Sequence, residues 1–555
     1  MISVNLPIGI EDYSIANSKY YVDKTLIIKD IIDKYEGNSI LITKPRRFGK
    51  SLMLSMLDYY FSLNVKDNHL FDDKLIAKEN SKYLEEMNNH PVIHLNMKNL
   101  YSNSADALLE QVIEIISNIY SNYYYLLDSD KLIDLEKEKY QEILNKNLTD
   151  TFLYVQAIYF LSKLLYKHHG KKVVILIDEY DTPLEDAYQK GFYNDVIYFF
   201  KKMYSSCLKA NEYMYFSMIT GVLEIAKESI FSDLNNLCVC SVVDEELSQY
   251  FGFTSLEIEK MIQDFEIEYS IDKIEEWYGG YGTKDVHIFN PWSIINFMYK
   301  RKFFAYWVNS GSKDTVEKII SDIPNALNIL NEFVNNKYLT FTFNNSISYK
   351  DIKNDTSTLF SYLVQSGYLV ARSTDEYNNY NLTIPNLEIK NVFENEIIDR
   401  NRIITNYSII NSLKDAIIEK KVDEISYILK DFIINSFSYY DLTLEKDYKT
   451  MLVTLFSVLF TSHIVKSEVN SKNGRCDIMI LPKNDKNLGL VIELKKYKGR
   501  IAKDRLSSYS KQALEQIKEN NYYDELERLR INKILMYGFA FDDKNNSISF
   551  DEIDS

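Results

Sequence analysis

Residues 39–61 constrain the fold of this chain more than any other stretch. They read SILITKPRRFGKSLMLSMLDYYF, an apolar strand, a short basic loop, the triplet Gly49-Lys50-Ser51 and an amphipathic helix. A loop that leads from a strand into a helix presents backbone N–H groups to an anion. A lysine at the start of that helix reaches terminal phosphates, and the hydroxyl beside it helps to hold Mg²⁺. The sequence therefore predicts a phosphate-binding loop for ATP, formed by Arg46, Arg47, Phe48, Gly49, Lys50, Ser51 and Leu52.

The loop departs from the full G-x-x-x-x-G-K-[ST] pattern at one position. The first glycine of that pattern would fall at Lys44, and Pro45 follows it. These two residues predict a stiffer and more basic loop. The alternative interpretation is a strand–turn–helix junction that carries exposed basic residues.

Residues 171–183, KKVVILIDEYDTP, supply a second half for this site. Five apolar residues predict a short buried strand of a parallel sheet, and Asp178 and Glu179 follow it directly. In such sites the first carboxylate orders the Mg²⁺ shell and the second polarises the attacking water. A third strand ends at Thr220, which is predicted to sense the γ-phosphate. The alternative is a strand followed by an ordinary polar loop.

Length, charge and cysteine usage set further bounds. A chain of 555 residues is too long for one hydrophobic core, and its net charge of −16 argues against coating nucleic acid over the whole surface. Basic residues cluster only locally, at residues 44–47 and 495–500. The four cysteines have no C-x-x-C spacing, which favours free thiols in a reducing cytoplasm. No signal peptide and no membrane-spanning stretch is recognisable, so a cytoplasmic protein without a membrane partner is expected.

The pattern along the chain predicts three domains. Residues 1–245 alternate strands (39–43, 92–96, 173–177, 213–220) with helices such as 105–124 and 151–168, which predicts an α/β domain with a parallel sheet. Residues 246–440 are mainly helical, including 256–265 and 318–335. The helix–strand–strand order near 359–393 resembles a winged-helix unit, for which we favour packing against the first domain over nucleic-acid binding. A glycine-rich turn at 278–282 is interpreted as structural.

Residues 441–555 predict another α/β domain. A helix over 448–462 leads to strands at 464–469 and 476–481, joined by an Asn-Gly turn that is typical of a hairpin. A strand at 489–495, a helix at 504–520 and a strand at 533–540 follow.

This third domain carries a second set of candidate catalytic residues. Asp477, Glu493 and Lys495 form a D…E-x-K pattern, and the last two share one face of a strand. Paired carboxylates bind Mg²⁺, which activates a water, while the lysine positions the nucleophile or neutralises charge. Glu468 is a candidate additional ligand, and Gln516 a candidate for orienting the substrate. The alternative is a ladder of surface charges, which the apolar neighbours of Glu493 disfavour.

With both sets in view, the chain resembles bacterial AAA-ATPase-like proteins that carry a C-terminal PD-(D/E)XK nuclease-superfamily domain. The resemblance rests on LPIGIEDY, YYVDKT, TKPRRFGKS, LIDEYDTP, ESIFSDLNNL, GGYG with NPW, YWVNSG and GRCD…IELK with ALEQI. It implies ATP binding by Lys50 and Ser51, Mg²⁺ handling by Asp178 and Glu179, and a nuclease-type metal site at Asp477, Glu493 and Lys495. It is compatible with a homo-oligomer, although no arginine acting in trans can be assigned.

One departure from the family concerns hydrolysis. Glu224 stands where relatives commonly have arginine. If that arginine contacts the γ-phosphate, Glu224 would repel it, unless Lys227, Arg46 or Arg47 substitutes.

These observations favour an ATP-dependent, Mg²⁺-dependent nuclease-like enzyme acting on nucleic acid, DNA or RNA. The alternative is a nucleotide switch whose C-terminal domain only binds a partner. A third hypothesis is an interaction scaffold in which both sites have decayed.

Overall fold

The computed structural model describes residues 5–65, 69–146, 151–225, 230–231, 234–283, 286–307, 333, 339–342, 356–374, 379–394, 407–436, 444–471, 474–483 and 487–554. The chain divides into two units, Met1–Phe393 and Glu394–Ser555. The boundaries near residues 245 and 440 stay predictions.

A five-stranded parallel sheet forms the centre of the first unit. Its strands are β1 (Ser39–Thr43), β2 (Val92–Asn96), β3 (Val173–Asp178), β4 (Met214–Gly221) and β5 (Leu237–Cys240). The order across the sheet is β2-β3-β4-β1-β5, and every neighbouring pair is parallel. All residues of β1, β3 and β4 are buried. The carboxyl ends of these strands therefore meet at one edge, where ligands of open α/β sheets bind.

Helices cover this sheet. They are α1 (Tyr13–Asn17), α2 (Ile27–Lys34), α3 (Lys50–Phe61), α4 (Ser81–Leu84), α5 (Ala105–Asn122), α6 (Asp134–Leu144), α7 (Thr151–Val155), α8 (Ala157–His169), α9 (Thr182–Lys190) and α10 (Tyr193–Leu208). Short 3-10 helices lie at Leu75–Lys78 and Tyr124–Asp128. The single helix predicted over 151–168 is two helices, α7 and α8, which meet at Gln156.

The rest of the first unit adds two small sheets. One contains β6 (Phe253–Thr254), β7 (Tyr281–Gly282) and β8 (His287–Phe289), with α11 (Ser255–Asp264), α12 (Ile271–Tyr278) and α13 (Pro291–Lys300) around it. A 3-10 helix, Ser248–Tyr250, precedes it. Aromatic residues such as Phe265, Tyr278 and Phe297 form its core.

The second small sheet contains β9 (Leu339–Thr342), β10 (Val370–Ser373) and β11 (Asn379–Thr383), in the order β10-β11-β9, with helices α14 (Thr356–Gln365) and α15 (Leu387–Val392). Its helix–strand–strand order matches the winged-helix-like prediction. The glycine turn is structural, as predicted, because a Cβ atom on Gly280 would lie 2.0 Å from the Pro385 carbonyl oxygen. The helix expected over 318–335 falls, apart from Phe333, outside the described residues.

The second unit is built on a mixed sheet in the order β12-β13-β14-β15-β16. Its strands are β12 (His463–Ser471), β13 (Gly474–Pro482), β14 (Gly489–Lys496), β15 (Lys533–Phe541) and β16 (Asn546–Asp554), and its helices are α16 (Tyr407–Ile418), α17 (Val422–Ser436), α18 (Glu445–Leu459), α19 (Lys503–Glu519) and α20 (Asp524–Arg528). Strands β14 and β15 are parallel, whereas the other neighbours are antiparallel.

The two faces of β14 have different partners. Leu490, Ile492 and Leu494 pack in one core with residues of α18 such as Phe456. Val491 packs in a second core with Leu514 and other residues of α19. Because side chains alternate along a strand, Glu493 and Lys495 share the α19 face with Val491.

Within the described residues, no helix combines the length and apolar character that crossing a bilayer requires. All four cysteines are free thiols.

Candidate functional sites

The loop between β1 and α3 makes a tight turn at the carboxyl edge of the sheet. Gly49, with φ of 84°, lies immediately before α3 in the left-handed region, and Arg47 has φ of 70°. Glycine adopts this conformation without steric cost. The turn places the N-terminus of α3, and with it Lys50 and Ser51, directly after β1, an arrangement suited to an anion.

Lys50 is held against the backbone of its own loop. Its Nζ atom donates hydrogen bonds to the carbonyl oxygens of Lys44, at 2.7 Å, and Pro45, at 2.9 Å. Burial lowers the pKa of the Lys50 ammonium, and the charges of Glu179, Asp181 and Asp178 oppose that shift. Lys50 therefore lies within the electrostatic field of the carboxylates that follow β3.

Lys44 does not join the basic loop as the sequence analysis expected. Its side chain is buried, and its Nζ atom donates to Ser241 O at 2.8 Å and Ser248 Oγ at 3.2 Å. Burial lowers its pKa to about 8. The prediction was wrong because Lys44 continues the buried strand β1 and turns inward. The cations that remain on the loop are Arg46, which is half-buried, and Arg47, which is exposed.

These two arginines have different partners. Arg46 Nη2 lies 3.1 Å from Glu185 Oε2, a residue of α9. The guanidinium of Arg47 lies 4.7 Å from the ring centre of Trp292, a cation–π contact. Arg46 is thus neutralised by an ion pair, whereas Arg47 is held mainly by an aromatic ring.

The residues at the ends of β3 and β4 are tied together. The Thr220 hydroxyl donates to Asp178 Oδ1 at 2.5 Å and accepts a hydrogen bond from the Glu179 N–H at 3.3 Å. Glu179 has φ of 52°. Its Oε2 atom accepts a hydrogen bond from Thr182 Oγ1 at 3.1 Å. Burial raises the Glu179 pKa, and the Lys50 charge opposes the shift. Thr220 therefore holds the Asp178 carboxylate and the Glu179 backbone in place, and its predicted role as a γ-phosphate sensor stays a prediction.

Asp181 was not singled out from the sequence, although it belongs to the same DEYD run. Its Oδ2 atom accepts hydrogen bonds from Val222 N and Leu223 N, both at 2.8 Å. These two hydrogen bonds fix the segment after β4 to residues 178–181, which we call the acidic loop.

Glu224 lies on that fixed segment. Its N–H donates to Gln365 Oε1 at 2.7 Å, and burial raises the pKa of its carboxyl group to about 7. Its Oε2 atom has no hydrogen-bond partner among the described residues. Glu224 is not among the residues that line the cavity of about 350 Å³ next to residues 46–51, so its position gives no support to repulsion of a phosphate there. Lys227, named as a substitute, falls outside the described residues.

A cavity of about 350 Å³ opens beside the loop. Its polar side includes Arg46, Arg47, Lys50, Ser51, Lys98 and Glu179, and its apolar side includes aromatic residues such as Tyr20, Phe253 and Trp292. Asp178 and Thr220 do not line it. This volume is within the range of small-molecule sites, and the combination of convergent polar groups with an aromatic wall is typical of them.

The structure also brings the D…E-x-K residues together in the second unit. Asp477 N donates to Glu493 Oε2 at 3.3 Å, and Leu494 N donates to Asp477 Oδ2 at 2.9 Å. Gln516 on α19 bridges the set, because its Oε1 accepts from Lys495 Nζ at 2.6 Å and its Nε2 donates to Glu493 Oε1. Glu493 is 4% exposed, and burial, with a contribution from Asp477, raises its pKa to about 8.

Close packing of α19 explains why Gln516 reaches this set. Gly538 on β15 pairs with Glu493, and a Cβ atom at Gly538 would lie 2.1 Å from the backbone oxygen of Ser510. The missing side chain lets α19 approach the sheet.

A lysine that the sequence analysis missed also contacts this set. Lys449 on α18 lies 3.2 Å from Asp477 Oδ1 and forms a second ion pair with Glu468. Glu468 also lies 3.2 Å from Arg475 Nη1. The candidate extra ligand Glu468 is therefore paired with two cations.

The basic run 495–500 is only partly available to a ligand. Lys496 Nζ lies 2.6 Å from Asp543 Oδ1. Lys495, in contrast, lines a cleft of about 670 Å³ that runs along α19 with Ser507, Ser508 and Lys511.

Comparison with known proteins agrees with this architecture. Residues 7–231 match a family model described as predicted AAA-ATPase, and residues 443–550 match the PD-(D/E)XK nuclease superfamily. The chain joins an AAA-ATPase-like domain to a PD-(D/E)XK nuclease-superfamily domain. The α/β fold class and the resemblance inferred from the motifs are thereby confirmed.

One curated relative is an uncharacterized protein in the vnfD 5' region of Azotobacter chroococcum mcd 1. It is 24% identical over 464 residues, which cover 82% of this chain and 77% of the relative. The similarity extends over most of both chains and carries no activity with it.

Proposed function

We propose that the AAA-ATPase-like domain binds and hydrolyses ATP in the cavity beside residues 46–51. The observation that carries this proposal is that Lys50, Ser51 and Glu179 line one cavity at the carboxyl edge of the parallel sheet. The helix N-terminus and Lys50 bind phosphates, and Glu179 orients the attacking water.

The donor set of this site fits a nucleotide-bound Mg²⁺. Ser51 supplies a hydroxyl and Glu179 a carboxylate on the cavity wall. The Asp178 carboxylate, which Thr220 orients, is buried next to Glu179 outside that lining and would act from behind it. When bound, the ion would neutralise charge on the phosphates. The strained backbone of Glu179 supports a functional role, because such strain clusters at active sites.

The second part of the proposal is that the nuclease-superfamily domain cleaves nucleic acid phosphodiesters with Mg²⁺ held by Asp477 and Glu493. Asp477 and the 4% exposed Glu493 lie side by side, and carboxylate oxygens are the ligands that Mg²⁺ prefers, so the donor set fits this ion. When bound, the ion would activate a water and stabilise charge on the phosphate. Lys495 positions the nucleophile or the scissile phosphate, and Gln516 orients both Lys495 and Glu493.

A cleavage assay on mixed DNA and RNA, with and without Mg²⁺ and ATP, tests this part. We expect Mg²⁺-dependent cleavage that ATP modulates. Glu493→Ala is expected to lower the rate by roughly a hundredfold or more, since it removes a metal ligand. Glu527→Ala removes an exposed carboxylate on α20 and serves as the matched control. Unchanged cleavage by Glu493→Ala would exclude this active site.

A second candidate function is a nucleotide switch whose C-terminal domain only binds a partner. Lys449 supplies a positive charge next to Asp477, and the described residues hold no group of three or more acidic, histidine or cysteine side chains able to bind a metal. ATP binding without cleavage of any polymer would favour this alternative.

A further inference from the structure

Lys98 lies beside the acidic loop on the same edge of the sheet. In the register of β2 and β3, Asn96 pairs with Asp178, and Met97 N donates to Asp178 O at 3.0 Å. Lys98 follows directly, lines the cavity and acts electrostatically on Glu179. It is therefore a cation on the side of the cavity where the carboxylates lie.

Arg47 is the second such cation. It lines the same cavity, and its guanidinium is oriented by the Trp292 ring at 4.7 Å. Guanidinium and ammonium groups are the side chains that bind phosphate most strongly.

One carboxylate contacts both cations. Glu11, which also lines the cavity, forms an ion pair with Lys98 and lies 4.0 Å from Arg47 Nη1. The position of Glu11 is fixed by its neighbours. Asp12 caps α1, and Tyr13 N donates to Ser55 Oγ on α3 at 3.0 Å. Glu11 is thus an anion anchored against the helix that follows the phosphate-binding loop.

We propose that Lys98 and Arg47 bind the terminal phosphate of the nucleotide, and that the Glu11 carboxylate competes with that phosphate for the two cations. This inference rests on the proposed ATP site. Carboxylate and phosphate oxygens accept the same charge-assisted hydrogen bonds. A donor group of Lys98 or Arg47 that binds Glu11 is therefore not available to the phosphate. A triphosphate reaches further toward Lys98 than a diphosphate does, and the pair thereby favours ATP over ADP.

An ordinary surface ion pair would behave differently. The side chains of Arg47, Lys98 and Glu11 are 35%, 32% and 41% exposed, and exposed pairs contribute little to stability. If the ion pair between Lys98 and Glu11 were only structural, a Lys98 variant and a Glu11 variant would change nucleotide affinity in the same way. Both would bind ATP as wild type does, or both would bind it more weakly. The competition proposed here requires effects of opposite sign.

The test is the affinity of the full chain for ATP, ADP and AMP, measured by calorimetry. Lys98→Met is expected to weaken ATP binding roughly tenfold and ADP binding much less, whereas Lys98→Arg retains most of the affinity. Glu11→Gln is expected to strengthen ATP binding by roughly twofold to tenfold, because the competing charge is gone. Lys29→Met and Glu79→Gln, which break the ion pair between those two residues outside the cavity, are the matched controls.

Two results would overturn the inference while leaving the ATP site intact. One is that Lys98→Met binds ATP as tightly as wild type does, and the other is that Glu11→Gln binds ATP more weakly than wild type does. Either result counts against the inference provided that the separate variant Lys50→Ala has lost ATP binding. If wild type and Lys50→Ala bind ATP equally, the proposed site itself fails, and this inference fails with it. Melting temperatures of all variants separate loss of folding from loss of binding.

Discussion

Glu179 shows how one residue combines backbone strain with a position in the candidate site. Its φ of 52° follows a strand in which every residue is buried. A non-glycine residue in this conformation costs on the order of 1–3 kcal/mol. Hydrogen bonds from its N–H to Thr220 and from Thr182 to its carboxylate hold it in this conformation. The strain therefore lowers stability at a residue whose side chain lines the cavity.

Glu388 illustrates a buried carboxylate with a structural role. Its oxygens accept hydrogen bonds from Ser293 Oγ and Trp307 N, both at 2.7 Å. Burial raises its pKa from 4.5 to about 7, although these hydrogen bonds oppose the shift. The folded chain therefore binds this proton more tightly than the unfolded chain does.

The sign of the pH dependence follows from that difference. Between the unfolded pKa of 4.5 and the folded pKa of about 7, the folded state binds more protons, so the contribution of Glu388 to stability falls as pH rises. The full loss is about 3 kcal/mol. We expect Glu388→Gln to reduce the fall in melting temperature between pH 5 and pH 8. An identical pH profile in wild type and variant would contradict this account.

At the level of elements, the turn between α14 and β10 packs on the phosphate-binding loop. Gly367 has φ of 87°, and a Cβ atom there would lie 2.8 Å from Pro45 Cβ and Cγ. Nearby, Trp307 Nε1 donates to Arg46 O at 2.9 Å. The turn between α14 and β10 therefore packs against the loop, which is the kind of contact that the sequence analysis favoured for this segment, whereas its winged-helix-like character stays a prediction.

Gly367→Ala tests this contact. We expect a loss of stability of about 2–4 kcal/mol, from the strained φ and from the clash with Pro45, and weaker ATP binding because the loop must shift. Gly191→Ala is the matched control. Gly191 has the same φ of 87° at the end of α9 with nothing within 4 Å of its Cβ position, so only the strain of about 1 kcal/mol is expected. Equal melting temperatures and ATP affinities in the two variants would show that the contact is unimportant.

The elements differed in how well the sequence predicted them. Strands β1 to β4 were predicted nearly to the residue, since buried parallel strands are continuous apolar runs. Strand β16 was missed because its residues are only half-buried and mostly polar, as expected of an edge strand. Strand β5 was missed because four residues are too few to show a pattern.

The residues of the candidate sites also differed in how far the sequence predicted them. Candidate residues that are close in sequence, such as Lys50 with Ser51 and Glu493 with Lys495, were predicted because they belong to recognisable strand and loop patterns. Glu11, Lys98 and Lys449 were missed because their positions depend on tertiary packing. Lys98 alone had a local signal, as a charge two residues after an apolar strand.

For the whole molecule, the acidic balance restricts how nucleic acid can bind. With a net charge of −16, binding must rely on local cations, and several of the basic residues noted in the sequence are paired internally. Lys44 is buried, Arg46 contacts Glu185, and Lys496 contacts Asp543. Lys495 and Lys511 line the cleft along α19, but Asp504, Glu515 and Glu519 line it as well, so this cleft is not a purely basic groove.

Nucleotide binding at Lys50 is the central proposal for the first unit. Equilibrium binding of labelled ATP to wild type and Lys50→Ala, with Lys29→Ala as control, tests it most directly. We predict that Lys50→Ala weakens ATP binding by roughly tenfold to a hundredfold, the value of a charge-assisted phosphate contact, while Lys29→Ala binds as wild type does. Equal affinity of wild type and Lys50→Ala would contradict the account.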